Sequence, residues 1–136
     1  MNPLIMLLIM LFLHVIADFN LQGILANMKQ KKWWHEKVRY LDETMYKNDY
    51  KAALIIHGFS WAFVVMLPCM NGCVFESTPA IMTVCYLVGL ISNASWHCWI
   101  DTRKANWKKL NLIEDQLMHV FQIFVTWLAW TIAFGW

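Results

Sequence analysis

Residues 11–22 read LFLHVIADFNLQ, and they close an apolar run that begins at Pro3. His14 and Asp18 interrupt that run four residues apart, and Gln22 follows at the same spacing. Residues four apart share one face of an α-helix. The stretch therefore reads as a helix that is apolar around most of its circumference and polar along one line.

The rest of the chain has the same character. Of its 136 residues, 60% are hydrophobic and only 15% are charged. A soluble domain is about half apolar and about a quarter charged, so this balance points to a membrane protein. Four segments are apolar enough for helices in a bilayer: 3–26, 52–68, 79–101 and 112–134. A hydrocarbon core ~30 Å thick needs about 20 helical residues, so the second is short and the others are ample. Backbone groups in lipid must be satisfied within the segment, which selects helices. The expected fold is all-α: one transmembrane domain over residues 1–136, built as an integral membrane four-helix bundle. Residues 27–51 are polar and charged, and read as an additional interfacial amphipathic helix with Trp33 and Trp34 at headgroup level. The first segment has no basic start and no A-x-A cleavage site, so it reads as a helix rather than a cleaved signal.

The net charge of +2 says less than its distribution. The basic residues fall in two places only. Lys29, Lys31, Lys32, Lys37, Arg39, Lys47 and Lys51 follow the first helix, and Arg103, Lys104, Lys108 and Lys109 follow the third. Basic loops stay cytoplasmic. The expectation is a multi-pass protein of the cytoplasmic membrane, with both termini outside and the 27–51 and 102–111 segments inside. The bilayer is the expected partner and nucleic acid is not. A unit this small also suits packing against copies of itself. Cys69 and Cys73 flank a short outer loop and read either as a pair or as two free thiols; Cys85 and Cys98 read as core residues.

Ionisable residues inside membrane helices are costly and mark functional sites or pathways. His14–Asp18, His97–Asp101 and Asp115–His119 are each spaced by four, and His57 lies in the second helix. The order reverses in the last pair, where the chain runs the other way through the membrane. All three pairs then have Asp nearer the cytoplasm and His ~6 Å deeper, four residues at 1.5 Å rise. The prediction is two layers in a bundle core: His14, His57, His97 and His119 over Asp18, Asp101 and Asp115. Gln22, Ser60, Asn93, Gln122 and Thr126 continue these faces as candidate hydrogen-bond partners of the ligands. A lone histidine of this kind is usually a hydrogen-bonded core residue, and three pairs at one depth argue for a shared polar site. A proton relay or a structural polar core are the other readings. His35, in the polar segment, reads as a solvated surface residue.

The pattern H-x-x-x-D-F-x-x-Q, a following Lys, a His in the second helix, H-x-x-x-D-x-x-K and D-Q-x-x-H is carried here by His14 to Gln22, Lys29, His57, His97 to Lys104, and Asp115 to His119. It resembles domain-of-unknown-function family 3307, small membrane proteins of bacteria and phages. It is more distantly similar to predicted membrane-bound metal-dependent hydrolases. The resemblance implies a metal site and, less directly, hydrolysis. The long charged 27–51 segment departs from that pattern.

Neutral imidazoles with carboxylates suit zinc first, and also iron or manganese. The seven candidate ligands are His14, Asp18, His57, His97, Asp101, Asp115 and His119, enough for two ions, or for one ion with the remaining groups as base and outer partners. In the enzyme reading, Asp18 or Asp115 is the catalytic base. Lys29 and Lys104 lie at the cytoplasmic mouth, where they attract an anionic, lipid-linked or phosphorylated substrate or serve as ordinary anchors. Gln22, and Gln116 from the D-Q-x-x-H motif, complete the expected substrate-facing set. The readings from other classes are a proton- or metal-ion transporter or channel, against which stand the apolar outer halves of the helices, and a non-catalytic membrane effector.

Overall fold

The structure is a computed structural model that describes residues 1–37, 44–75 and 79–135. Among these residues it is all-helical. The elements are α1 (Pro3–Val15), a π-helical turn (Ile16–Asn20), α2 (Leu25–Met28), α3 (Lys31–Lys37), α4 (Asp49–Val65), α5 (Leu67–Phe75), α6 (Pro79–Ala105) and α7 (Leu112–Phe134). Among the described residues, three stretches are long and apolar enough to cross a membrane: Pro3–Asn20, Ala80–Ala105 and Leu112–Phe134.

Local chemistry sets the helix ends. Asn2 caps α1 by accepting from Leu4 and Ile5 N–H, and Pro3, which has no N–H to leave unsatisfied, occupies the first turn. Asn111 and Glu114 form a reciprocal capping box at the start of α7, and Gly135 ends that helix with φ 67°. Three expected boundaries shift. The first helix stops at Asn20 rather than residue 26, because its last turn widens to a π turn and Gly23 then takes φ 50°. The second begins at Asp49 and ends at Val65, and Pro68 falls in the first turn of a new helix, α5, where its missing N–H costs nothing. Much of the expected 69–78 loop is thus helical, and residues 76–78 lie outside the described residues. The third helix runs four residues beyond 101. In the 27–51 segment the expected amphipathic helix is represented by the seven residues of α3; residues 38–43 of it lie outside the described residues.

The long helices pack antiparallel to their neighbours in the ring order α1, α4, α6, α7. Trp127 Nε1 donates to the Pro3 carbonyl at 2.7 Å while His14 meets Gln116 at 3.1 Å, which fixes the register of α1 against α7. Met6, Met10, Trp61, Val65, Met66, Met82, Leu90 and Ile123 fill one core. Around it the usual arrangement is inverted: Leu4, Leu8, Phe12, Ile55, Val84, Ile91, Phe121 and Ile132 are exposed, while His97, Asp101, Asp115, His119 and Gln122 are buried. An apolar exterior around a polar core is what a lipid environment selects.

α4 and α6 cross closely at Gly58. A Cβ there would press on Cys98 Sγ and lie 3.0 Å from the Ala94 carbonyl oxygen. Gly58→Val is expected to lower stability by about 1–3 kcal/mol, the cost of overpacking. An unchanged thermal midpoint in detergent would contradict this close crossing.

Candidate metal centre

The π turn decides where Asp18 goes. Leu21 N–H donates to the Ile16 carbonyl five residues back, and such wide turns recur at functional sites. Among the described residues no ion pair joins His14 to Asp18, whereas His97–Asp101 and Asp115–His119 do approach, at 3.7 and 3.6 Å. Asp18 instead receives Gln22 Nε2 on Oδ1 at 3.0 Å and Gln116 Nε2 on Oδ2 at 2.7 Å.

Five more side chains converge behind it. His57 Nε2 lies 3.1 Å from His97 Nε2, 3.5 Å from Asp18 Oδ1 and 3.4 Å from Asp101 Oδ2. His119 Nε2 lies 3.6 Å from both Asp101 Oδ1 and Asp115 Oδ1. Those separations exceed a hydrogen bond. Among the described residues, His119 Nε2 and Asp115 Oδ1 are buried with no hydrogen-bond partner. Among the described residues, three groups of ligand atoms are close enough to hold a metal ion: Asp18, His57 and His97; His97, Asp101 and His119; and Asp18, Asp115 and His119. Imidazole and carboxylate donors of this kind fit zinc, iron or manganese alike.

Six of the seven predicted ligands are brought together and His14 stands apart. Its Nδ1 accepts from Trp61 Nε1 at 3.0 Å, and its Nε2 meets Gln116 Oε1 at 3.1 Å. Gln116 donates its amide to Asp18 and Asp115, so its oxygen must accept from His14 Nε2–H. Both His14 nitrogens are therefore engaged, and the residue steers Gln116 rather than reaching the cluster.

The expected mouth residues turn inward. Lys29, only 7% exposed, places Nζ 2.6 Å from Asp101 Oδ2, and Lys104 places Nζ 2.5 Å from Asp115 Oδ2. Asn106 positions Lys29: its side chain donates to the Lys29 carbonyl at 3.0 Å and accepts from Lys31 N–H at 2.8 Å. A cleft of about 500 Å³ opens on this end of the cluster, and Asp18, Gln22, Lys29, Lys104 and Gln116 all line it, with Phe19, Gly23 and Lys108. The four residues expected to face substrate thus share one cavity with one candidate ligand.

The outer partners differ from expectation at one point. Ser60 is exposed, and Gln22 takes its place beside His57 at 3.2 Å. Gln122 Nε2 donates to the Asn93 carbonyl and Oδ1 at 2.8 and 2.9 Å, and Thr126 joins at 2.9 Å, one turn beyond the histidines. Trp61 was not singled out from sequence, yet it stacks on His97 at 4.3 Å and holds His14. Its spacing of four from His57 is the signal that places it on that face. His35 is exposed as expected, and Cys69 and Cys73 are free thiols on α5. No protein family, curated protein or solved structure matches the chain.

Proposed function

We propose that the chain is a four-helix integral membrane protein whose His/Asp cluster binds divalent metal, zinc first, and hydrolyses an anionic, lipid-linked or phosphorylated substrate taken up from the cleft. The carrying observation is the pair of buried, unpartnered donors, His119 Nε2 and Asp115 Oδ1, beside five further groups that reach one cavity. The positive-inside distribution of Lys and Arg supports a cleft on the cytoplasmic side of the inner membrane with both termini outside. Membership of family 3307 is part of the same proposal and rests on the sequence motifs alone.

A bound divalent ion supplies Lewis-acid polarisation and a water of lowered pKa. The chain's own groups do the rest. Asp18 lines the cleft and would hold the ion on its substrate side; Asp115, held by Lys104 and Gln116, would bind beside His119. Lys29, Lys104 and Lys108 offer positive charge to a phosphoryl group. The test is release of phosphate or of a head group from lipid extracts and soluble phosphoesters by detergent-purified protein. Asp18→Asn is expected to lower turnover by at least ~10²-fold, because it removes a carboxylate that holds the ion against the substrate. Metal-loaded wild type with no turnover on either substrate class contradicts hydrolysis.

A transporter is the second reading. Beyond Gln122, Asn93 and Thr126 lie buried polar atoms with no hydrogen-bond partner among the described residues, Tyr86 Oη, Trp130 Nε1 and Thr131 Oγ1, in the half of the bundle expected to be apolar. Ion flux in proteoliposomes that is lost in Gln122→Leu supports this reading over hydrolysis.

A further inference from the structure

We infer that the cluster holds two divalent ions bridged by Asp18 and Asp101, with His57 and His97 on one ion and His119 and Asp115 on the other. The inference rests on the metal-binding reading and deepens it.

The three candidate groups overlap in a ring, each pair sharing one residue: Asp18, His97 or His119. An imidazole nitrogen binds one ion, but a carboxylate has two oxygens and can serve two. Sharing between simultaneously filled sites is therefore open to aspartate and closed to histidine. The two groups that share Asp18 are the pair that can fill together, and they contain His57 and His97 on one side and Asp115 and His119 on the other.

Asp101 has the geometry of a second bridge. Its Oδ2 lies 3.4 Å from His57 Nε2 and 3.7 Å from His97 Nε2, while its Oδ1 lies 3.6 Å from His119 Nε2. Each oxygen addresses the histidines of a different ion. Two ligands bound at ~2.0–2.2 Å to a tetrahedral ion sit about 3.4 Å apart, close to these separations. The rings of His97 and His119 stack at 4.2 Å and 26°, and their ligand nitrogens lie within 4.8 Å of each other. That spacing suits ions ~3.5–4 Å apart, the separation of two-metal hydrolytic sites. Antiparallel bundles build two-ion centres from inward carboxylates and histidines in the same way.

The unpartnered atoms agree with this division. His119 Nε2 and Asp115 Oδ1 belong to the second ion, and both residues are fully buried. Asp18 is the bridge that lines the cleft, so a substrate there meets both ions at once. Two divalent ions with Lys29 and Lys104 outweigh three carboxylates, which selects an anion such as a phosphoryl group.

The test is metal stoichiometry in the full chain, purified in detergent, stripped with chelator and reloaded with Mn²⁺. Two ions per chain are expected, with the electron paramagnetic resonance signature of an exchange-coupled pair. Asp18→Asn is expected to abolish the coupling, and His57→Ala to leave one ion with an isolated six-line spectrum. Ser95→Ala, at an exposed position on α6, is expected to retain two. One ion per chain, or two without coupling, overturns the bridged pair and leaves a mononuclear site standing. No bound ion overturns the metal reading itself. The wild-type spectrum carries the test even where a variant fails to fold.

Discussion

His119→Ala is expected to weaken divalent-ion binding by more than ~100-fold, whereas His14→Ala stays within the ~10–100-fold typical of losing an outer partner. The two histidines look alike in sequence, each four residues from an aspartate. The structure separates them. His119 Nε2 is buried between two carboxylate oxygens at 3.6 Å with no hydrogen bond of its own. His14 spends one nitrogen on Trp61 and the other on Gln116. It reaches the cluster only through the Gln116 amide, which donates to Asp18 and Asp115. Competition against a chromophoric chelator measures both variants. Equal losses would return His14 to the ligand set and contradict its Nε2–H tautomer.

Lys29→Met is expected to destabilise the protein by about 3–5 kcal/mol, the cost of removing one partner of a buried ion pair. Asp101 is 1% exposed and its Oδ2 sits 2.6 Å from Lys29 Nζ, so the substitution leaves a carboxylate with less compensation in a low-dielectric core. The thermal midpoint in detergent should fall by roughly 10 °C. Lys29→Met with Asp101→Asn should recover much of the loss, because the second change removes the stranded charge. Lys104→Met should cost less, since its side chain is 32% exposed and water reaches the remaining charge. If Lys29→Met leaves the midpoint unchanged, the lysine is a surface anchor.

The apolar runs and the three spaced pairs were legible because both follow from helical periodicity. The fourth long helix, Leu112–Phe134, has the expected bounds, since Asn111 and Glu114 advertise its start. The first helix was overrun because a π turn leaves no mark in hydrophobic pattern: Leu21 to Ala26 is as apolar as what precedes it. Pro68 was visible, but a proline ends one helix and opens another with equal ease, and the packing of α5 decides which. Lys29 lines the cleft expected of it, and its ion pair with Asp101 is not visible in the sequence. Its inward turn depends on Asn106, 77 positions away, which no local pattern reports. The cluster's membership was likewise legible up to His14, whose hydrogen bonds to Trp61 and Gln116 are purely tertiary.

Equilibrium dialysis of the detergent-purified chain against Zn²⁺ and Mn²⁺, followed by elemental analysis, tests most directly whether the buried His/Asp cluster binds metal. Wild type should retain divalent ion after buffer exchange, and His97→Ala with Asp101→Ala, checked for an unchanged elution profile, should retain none. Wild type that holds no ion, or a double variant that holds as much, would contradict the metal centre.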